Sequence, residues 1–185
     1  NRIAAQVAVL AKAKERPVQL TWSRPEDLMR DLVRPPVQAR MTGALDRNGQ
    51  VAGLAIRIAA PATLREWARR MDGENVYDAR RGSAGQEDPL AVDGAMPPYQ
   101  IENLTIDHYP AAIPLPTGPW RSQAHSYTAF FVESFIDELA HEAGVEPLSF
   151  RMQMLAGQTR LARCLSGVGA MAGWDGGAAG SHLAG

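Results

Sequence analysis

Two β-compatible runs, VQARMTGAL (37–45) and QVAGLAIRIAA (50–60), flank Asp46, Arg47, Asn48 and Gly49. A turn of Asp, Asn and Gly between such runs signals a β-hairpin, because these residues tolerate the backbone angles of a tight reversal. Leu54, Ile56 and Ile58 alternate on one face of the second run, and a half-apolar sheet face has to be buried against another layer. The strongest helical pattern lies downstream. Val132, Phe135, Ile136, Leu139, Ala140 and Ala143 form a continuous apolar stripe, with Glu133, Asp137, Glu138 and His141 off it. Ser126 or Thr128 is placed to cap its start, and Gly144 suits the position past its end. Hairpin and striped helix together predict an α+β fold: a mixed or antiparallel sheet with packed helices.

Around this nucleus the chain alternates short elements. A small-residue amphipathic helix is expected over 3–14, stopped by Pro17, and PVQLTW (17–22) alternates like a strand. Ser23 and Pro25 announce a short helix over 25–31. Leu64, Trp67, Ala68 and Met71 allow one or two helical turns. Residues 72–98 are polar and rich in Gly, Asp and Pro, which reads as a long variable loop. IENLTIDHYP (101–110) alternates as a strand. After it come a Pro- and Gly-punctuated loop (111–126), the striped helix, a helix opening at Glu146-Pro147, and a weak helix over 158–172. This gives a sheet-forming part (1–110), a loop-and-helix part (111–172) and a Gly-rich tail (173–185).

Composition excludes several classes. The 185 residues suffice for one domain or two small ones. A single cysteine, Cys164, rules out an internal disulfide framework and an all-cysteine zinc or iron–sulfur site within this chain. Cys164 reads as a small buried thiol, although Arg160 and Arg163 nearby are placed to acidify it. No apolar run approaches the ~18 residues that span a bilayer. The formal net charge is -1, which does not suggest a nucleic-acid partner. Near-neutrality hides asymmetry: residues 1–72 hold 13 basic and 7 acidic side chains, residues 73–185 hold 6 and 13. Of the basic residues 17 are Arg; a GC-rich genome is the plainer reading of that bias and an anion-binding surface the sharper one. The opening residues show no signal-peptide pattern.

Most catalytic signatures fail. His108, His125, His141 and His182 form no i, i+4 pair, and Val145 occupies the second His position of a would-be HExxH motif at His141-Glu142, so no metal ligands are assigned. There is no P-loop, no dinucleotide fingerprint after a strand, and no nucleophile elbow around His125-Ser126. What remains is TGPWRSQAHS (117–126), a Gly-Pro turn followed by Trp120, Arg121, Gln123 and His125 at the start of the striped helix. A helix start offers free N–H groups, Arg121 a fixed charge and Trp120 a flat surface, which suit an anionic or carbonyl group. A solvated Arg beside a packed Trp is the plainer reading. Arg34-Pro35-Pro36 is similar in kind and less specific.

The segment TGPWRSQAHSYTAFFVESFIDELAHEAGVEPLSFRMQML (117–155) resembles the molybdopterin-binding large subunit of the xanthine dehydrogenase and aldehyde oxidase superfamily, in particular the isoquinoline 1-oxidoreductase beta-subunit type. Residues 16–62 resemble the same family collinearly. The resemblance implies an α+β part of a molybdenum-cofactor domain and the catalytic subunit of a molybdenum hydroxylase. Such an enzyme oxidises an N-heterocycle or aldehyde with water as the oxygen source. It implies Arg121 as the catalytic side chain, Trp120 and His125 as substrate-pocket residues, and Ser122, Gln123 and Ala124 as cofactor-binding through their backbone. The implied cofactor is a molybdenum–molybdopterin cytosine dinucleotide, and the implied partners are a small subunit carrying [2Fe-2S] clusters, the rest of the large subunit and a small-molecule substrate. Tyr127 stands where the family usually has His. The family's Gly-Gly-Phe-Gly motif and its Gly-x-Gly-Glu glutamate do not occur in this sequence, so the chain reads as an internal fragment, inactive alone, of a bacterial cytoplasmic or periplasmic enzyme. The alternative is a non-catalytic structural or interaction module of the same fold.

Overall fold

The computed structural model describes residues 2–174. The chain forms two compact units that part after Leu32. The boundary expected near residue 110 falls inside the second, and residues 175–185 of the Gly-rich tail, His182 among them, lie outside the described residues.

The first unit holds α1 (Arg2–Lys14) and α2 (Arg24–Arg30). Ser23 caps α2 by accepting the Glu26 N–H, and Pro25 sits in the first turn, as the sequence predicts. The strand expected over 17–22 does not form. Among the described residues its alternation has no partner strand to pair with, and Trp22 instead donates its indole N–H to Gln6 Oε1 at 2.9 Å.

The second unit is built on a three-stranded mixed sheet in the order β1 (Gln38–Leu45), β2 (Val51–Ala60), β3 (Asn103–Pro110). The predicted hairpin joins β1 and β2, with Arg40 opposite Arg57 and Thr42 opposite Ala55. Its turn is organised by Asp46, whose Oδ1 accepts the N–H groups of Asn48 and Gln50, both at 2.8 Å. Those two bonds hold the Asp46 carboxyl below its ordinary range. Gly49 takes φ +75°, which a side chain rarely adopts.

β3 runs parallel to β2, and α5 (His125–Glu142) and α6 (Pro147–Met154) supply the covering layer. Val132, Ile136, Leu139 and Ala140 of the predicted stripe join Leu54, Ile56, Ile58, Phe150 and Met154 in one core. Gly43 is required there, because a Cβ would stand 2.8 Å from Leu139 Cδ2. α5 begins without a side-chain cap. Ser126, expected to cap it, donates instead to Gln123 O, and Thr128 donates to Ala124 O and Asp93 O. α7 (Thr159–Met171) follows with no buried residue, so Cys164 is exposed rather than buried.

The parallel pairing needs a crossover from Ala60 to Asn103. It opens with α3 (Thr63–Met71), where the sequence allows one or two helical turns, and the segment read as a variable loop continues it in ordered form, with α4 (Val76–Ser83) and a 3-10 turn at Pro89–Val92. The residues that look like loop formers are caps. Asn75 accepts the N–H groups of Tyr77 and Asp78, and buried Asp88 accepts those of Leu64 and Leu90.

Two outcomes check this packing. Ile136 is fully buried between sheet and helix, so Ile136→Ala is expected to cost about 2–5 kcal/mol of folding stability in a denaturant titration. Glu146 caps α6 from its N-cap position. Burial alone would raise its pKa, but the N–H groups of Leu148 and Ser149, the Ser149 hydroxyl and the Trp174 indole outweigh it and hold the value at about 2, below the ordinary 4.5. A depressed carboxylate stabilises the fold above its ordinary pKa and loses that contribution as pH falls through the folded value. Thermal melts between pH 5 and pH 2 should therefore fall less steeply for Glu146→Ala than for the parent chain.

Candidate functional site

The carboxyl ends of β2 and β3 lie side by side, because Ala60 is in register with Pro110. The Ala60 carbonyl binds both the Ala111 N–H at 3.0 Å and His108 Nε2 at 3.0 Å. Segments leaving that end of the sheet form a narrow cleft with about 30 Å³ of interior space. Pro61, Thr63 and Leu64 come from the exit of β2, and Gly118, Pro119, Trp120, Gln123, Ala124 and Tyr127 from the loop and helix after β3. Arg34, Pro35, Asp88, Leu90 and Ala91 complete it.

The loop has no regular structure of its own and is held from outside. Val33 forms a bridge with Thr117. Buried Glu66 accepts the Thr117 N–H at 3.0 Å and the Arg70 guanidinium at 3.3 Å. The Thr63 and Thr117 hydroxyls meet at 2.9 Å. Arg34 is the clamp nearest the cleft. Its guanidinium lies 5.5 Å from the Trp120 ring centroid, donates to Ser126 Oγ at 2.7 Å and reaches the Arg121 carbonyl at 3.4 Å. A planar cation over an aromatic face that also forks to a carbonyl and a hydroxyl fixes both ring and backbone. Ser122 and Gln123 carry φ of +66° and +39°, an unfavourable conformation for residues with side chains. The clamps and the onset of α5 hold it in place.

Of the residues singled out from sequence, Trp120, Gln123 and Ala124 line the cleft. Arg121, Ser122 and His125 do not. The Arg121 side chain and Ser122 are exposed. His125 lies against Gly94, where a Cβ would stand 2.2 Å from its Nδ1, and its Nε2 is 3.2 Å from Asp93 Oδ2. Tyr127 donates its hydroxyl to Ala91 O at 2.7 Å. Burial, then the negative fields of Asp88 and Asp93, push that phenol up to about 12. Sequence reasoning missed Asp88 and Asp93. The only signal for Asp88 was its place before Pro89, a helix-start pattern. Among the described residues, no group of three or more His, Cys, Asp and Glu side chains is arranged to hold a metal ion, and no helix is long and apolar enough to cross a membrane.

Comparison with known proteins gives this cleft a context. Residues 1–65 match the family model of the molybdopterin cofactor-binding domain. The chain is 25% identical over 170 residues to the beta subunit of the isoquinoline 1-oxidoreductase of Brevundimonas diminuta, covering 90% of this chain and 20% of that one. It is 24% identical over 159 residues to a nicotinate dehydrogenase subunit of Pseudomonas putida, covering 83% and 13%. A membrane-bound aldehyde dehydrogenase (pyrroloquinoline-quinone) of Gluconacetobacter polyoxogenes is 27% identical over 149 residues, covering 78% and 18%. The chain therefore spans a fifth or less of the length of these relatives. Residues 1–65 are thus similar to molybdopterin cofactor-binding domain sequence, and the chain is similar, at low identity, to part of two oxidoreductase subunits and an aldehyde dehydrogenase.

Asp88 tests the construction of the cleft. Its carboxylate satisfies two backbone N–H groups while 2% exposed. Asp88→Ala orphans both and is expected to destabilise the chain by about 2 kcal/mol or more in chemical denaturation.

Proposed function

We propose that this chain forms one wall of the cofactor and substrate site in the catalytic subunit of a molybdenum hydroxylase. The observation that carries the reading is the convergence of Arg34, Trp120 and Gln123 on one cleft at the carboxyl ends of parallel strands, where open α/β sheets generally place ligands. The cleft's 30 Å³ is far below the ~300 Å³ or more that a whole small-molecule pocket needs. That size suits one wall, with the remaining surface contributed by other parts of a longer subunit.

The side chains fit a planar, anionic cofactor such as a molybdopterin dinucleotide. Trp120 offers a ring, Arg34 a cation, Gln123 an amide, and α5 begins without a side-chain cap. The carboxylate lining the cleft, Asp88, is already committed to two backbone donors. Bound there, the group would supply oxidation of an electron-poor C–H carbon with oxygen taken from water. Arg34 and the backbone over 122–126 would hold its anionic part, and Trp120 and Gln123 would orient the planar part. Arg121, exposed beside the clamp, would reach outward to the substrate and stabilise charge that develops on it. His125, oriented by Asp93, would shape the far side of the substrate site. An N-heterocycle or an aldehyde is the substrate class, the cytosine dinucleotide the cofactor form, and a small iron–sulfur subunit the electron acceptor.

Arg121→Ala in the subunit that contains this chain is expected to lower turnover by ~10²-fold or more, the scale for losing one oriented electrostatic group. Molybdenum content, measured by elemental analysis, should stay at the parent level. Parental turnover in a fully loaded variant would remove Arg121 from the site. Loss of molybdenum together with activity would mark a structural or cofactor-holding role instead.

A further inference from the structure

A second, smaller cavity lies where the α3–α4 hairpin meets the segment leaving β3. Its walls include Pro61, Ala62, Glu66, Arg80, Ser83 and Ile113, and its interior measures about 10 Å³. Two polar atoms on these wall residues, Ser83 Oγ and Arg80 Nε, are buried and make no hydrogen bond among the described residues. Ser83 is only 1% exposed. The rest of Arg80 is in place, since its Nη1 donates to Ile113 O at 2.9 Å. Glu66, 2% exposed, lines the same cavity, and its Oε2 takes the Thr117 N–H. Native folds rarely leave a buried hydroxyl and a buried guanidinium N–H without a partner.

Size and chemistry restrict what that partner is. About 10–15 Å³ is the space one water molecule requires. A cation is repelled by the Arg80 guanidinium, and an anion by the Glu66 carboxylate. Arg80 Nε can only donate and the carboxylate can only accept. The occupant must therefore accept on one side and donate on the other, and must carry no charge. An apolar group would leave Ser83 Oγ and Arg80 Nε unsatisfied.

We propose that a single ordered water occupies this cavity, accepting from Arg80 Nε, donating to the Glu66 carboxylate, and sharing a hydrogen bond with Ser83 Oγ. The water joins α4 to Glu66 of α3, which in turn accepts the Thr117 N–H. This water site is set by the packing of the second unit alone and is independent of the proposed function.

Ser83→Ala discriminates, because a wet and a dry cavity respond in opposite directions. With the water bound, the substitution removes one of its partners, and the folding equilibrium constant should drop roughly 2- to 10-fold in a urea titration. In a dry cavity it removes an unsatisfied buried hydroxyl, and stability should hold or rise. A crystal structure of the parent chain at a resolution that shows ordered solvent gives the second readout. Density for one molecule within hydrogen-bonding distance of Ser83 Oγ, Arg80 Nε and Glu66 is the expected result. Absence of that density, or a Ser83→Ala chain as stable as its parent, overturns the proposal.

Discussion

The parallel pairing of β2 with β3 is the constraint on which the second unit depends. Antiparallel neighbours can be joined by a short turn, as β1 and β2 are, but parallel neighbours require a connection that travels back along the sheet. Here that connection occupies residues 61–102. It has to be compact, because its two ends are tied to adjacent strands, and its polar residues make it so by capping: Asn75 on α4, Asp88 on the 3-10 turn and on Leu64. The same pairing brings Ala60 and Pro110 to one end of the sheet. The chain leaving β2 and the chain leaving β3 therefore meet, and the cleft is a consequence of that meeting.

Local signals are legible in the sequence to the extent that one element determines them. The hairpin turn carries its own hydrogen bonds through Asp46, and the α5 stripe needs only helical periodicity and a sheet to cover. Residues 17–22 show where such reasoning stops. Alternation describes a strand's faces but not its edges, and without a partner's N–H and C=O groups no strand exists. Residues 72–98 fail in the reverse sense, since Asn, Asp, Gly and Pro there mark helix boundaries as well as they mark loops. Cys164 departs from expectation because α7 is apolar enough to look packed yet buries no residue.

The site shows the same division. Trp120, Gln123 and Ala124 are legible because they share one short loop. Arg34 is 87 residues from Arg121 in sequence, and only the fold brings it over Trp120. Nothing in an Arg-Pro-Pro tripeptide states which ring it will cover. Arg121 and His125 sit within the same loop but diverge from the cleft, because two left-handed residues, Ser122 and Gln123, turn the backbone between Trp120 and the helix. Spacing along a sequence gives proximity of Cα atoms, not the direction of side chains across a turn.

The surplus of arginine in the first half acquires a structural account from these contacts. Arg57 faces Asp107 across the sheet at 3.9 Å, Arg70 meets buried Glu66, and Arg34 spans to the loop. In each case an Arg from residues 1–72 secures the crossover, the third strand or the cleft loop. Lysine would satisfy the Coulombic part of such contacts but not the forked geometry at Arg121 O and Ser126 Oγ or the stacking on Trp120. A loop without secondary structure, held in a left-handed conformation, needs several such geometric restraints at once. Val33 pairs its Thr117 end, Glu66 accepts from its backbone, and Arg34 clamps its aromatic end. These restraints reach it from β2's exit helix and from the segment before β1. The rigidity of the cleft is therefore a property of the assembled second unit rather than of the loop that lines it.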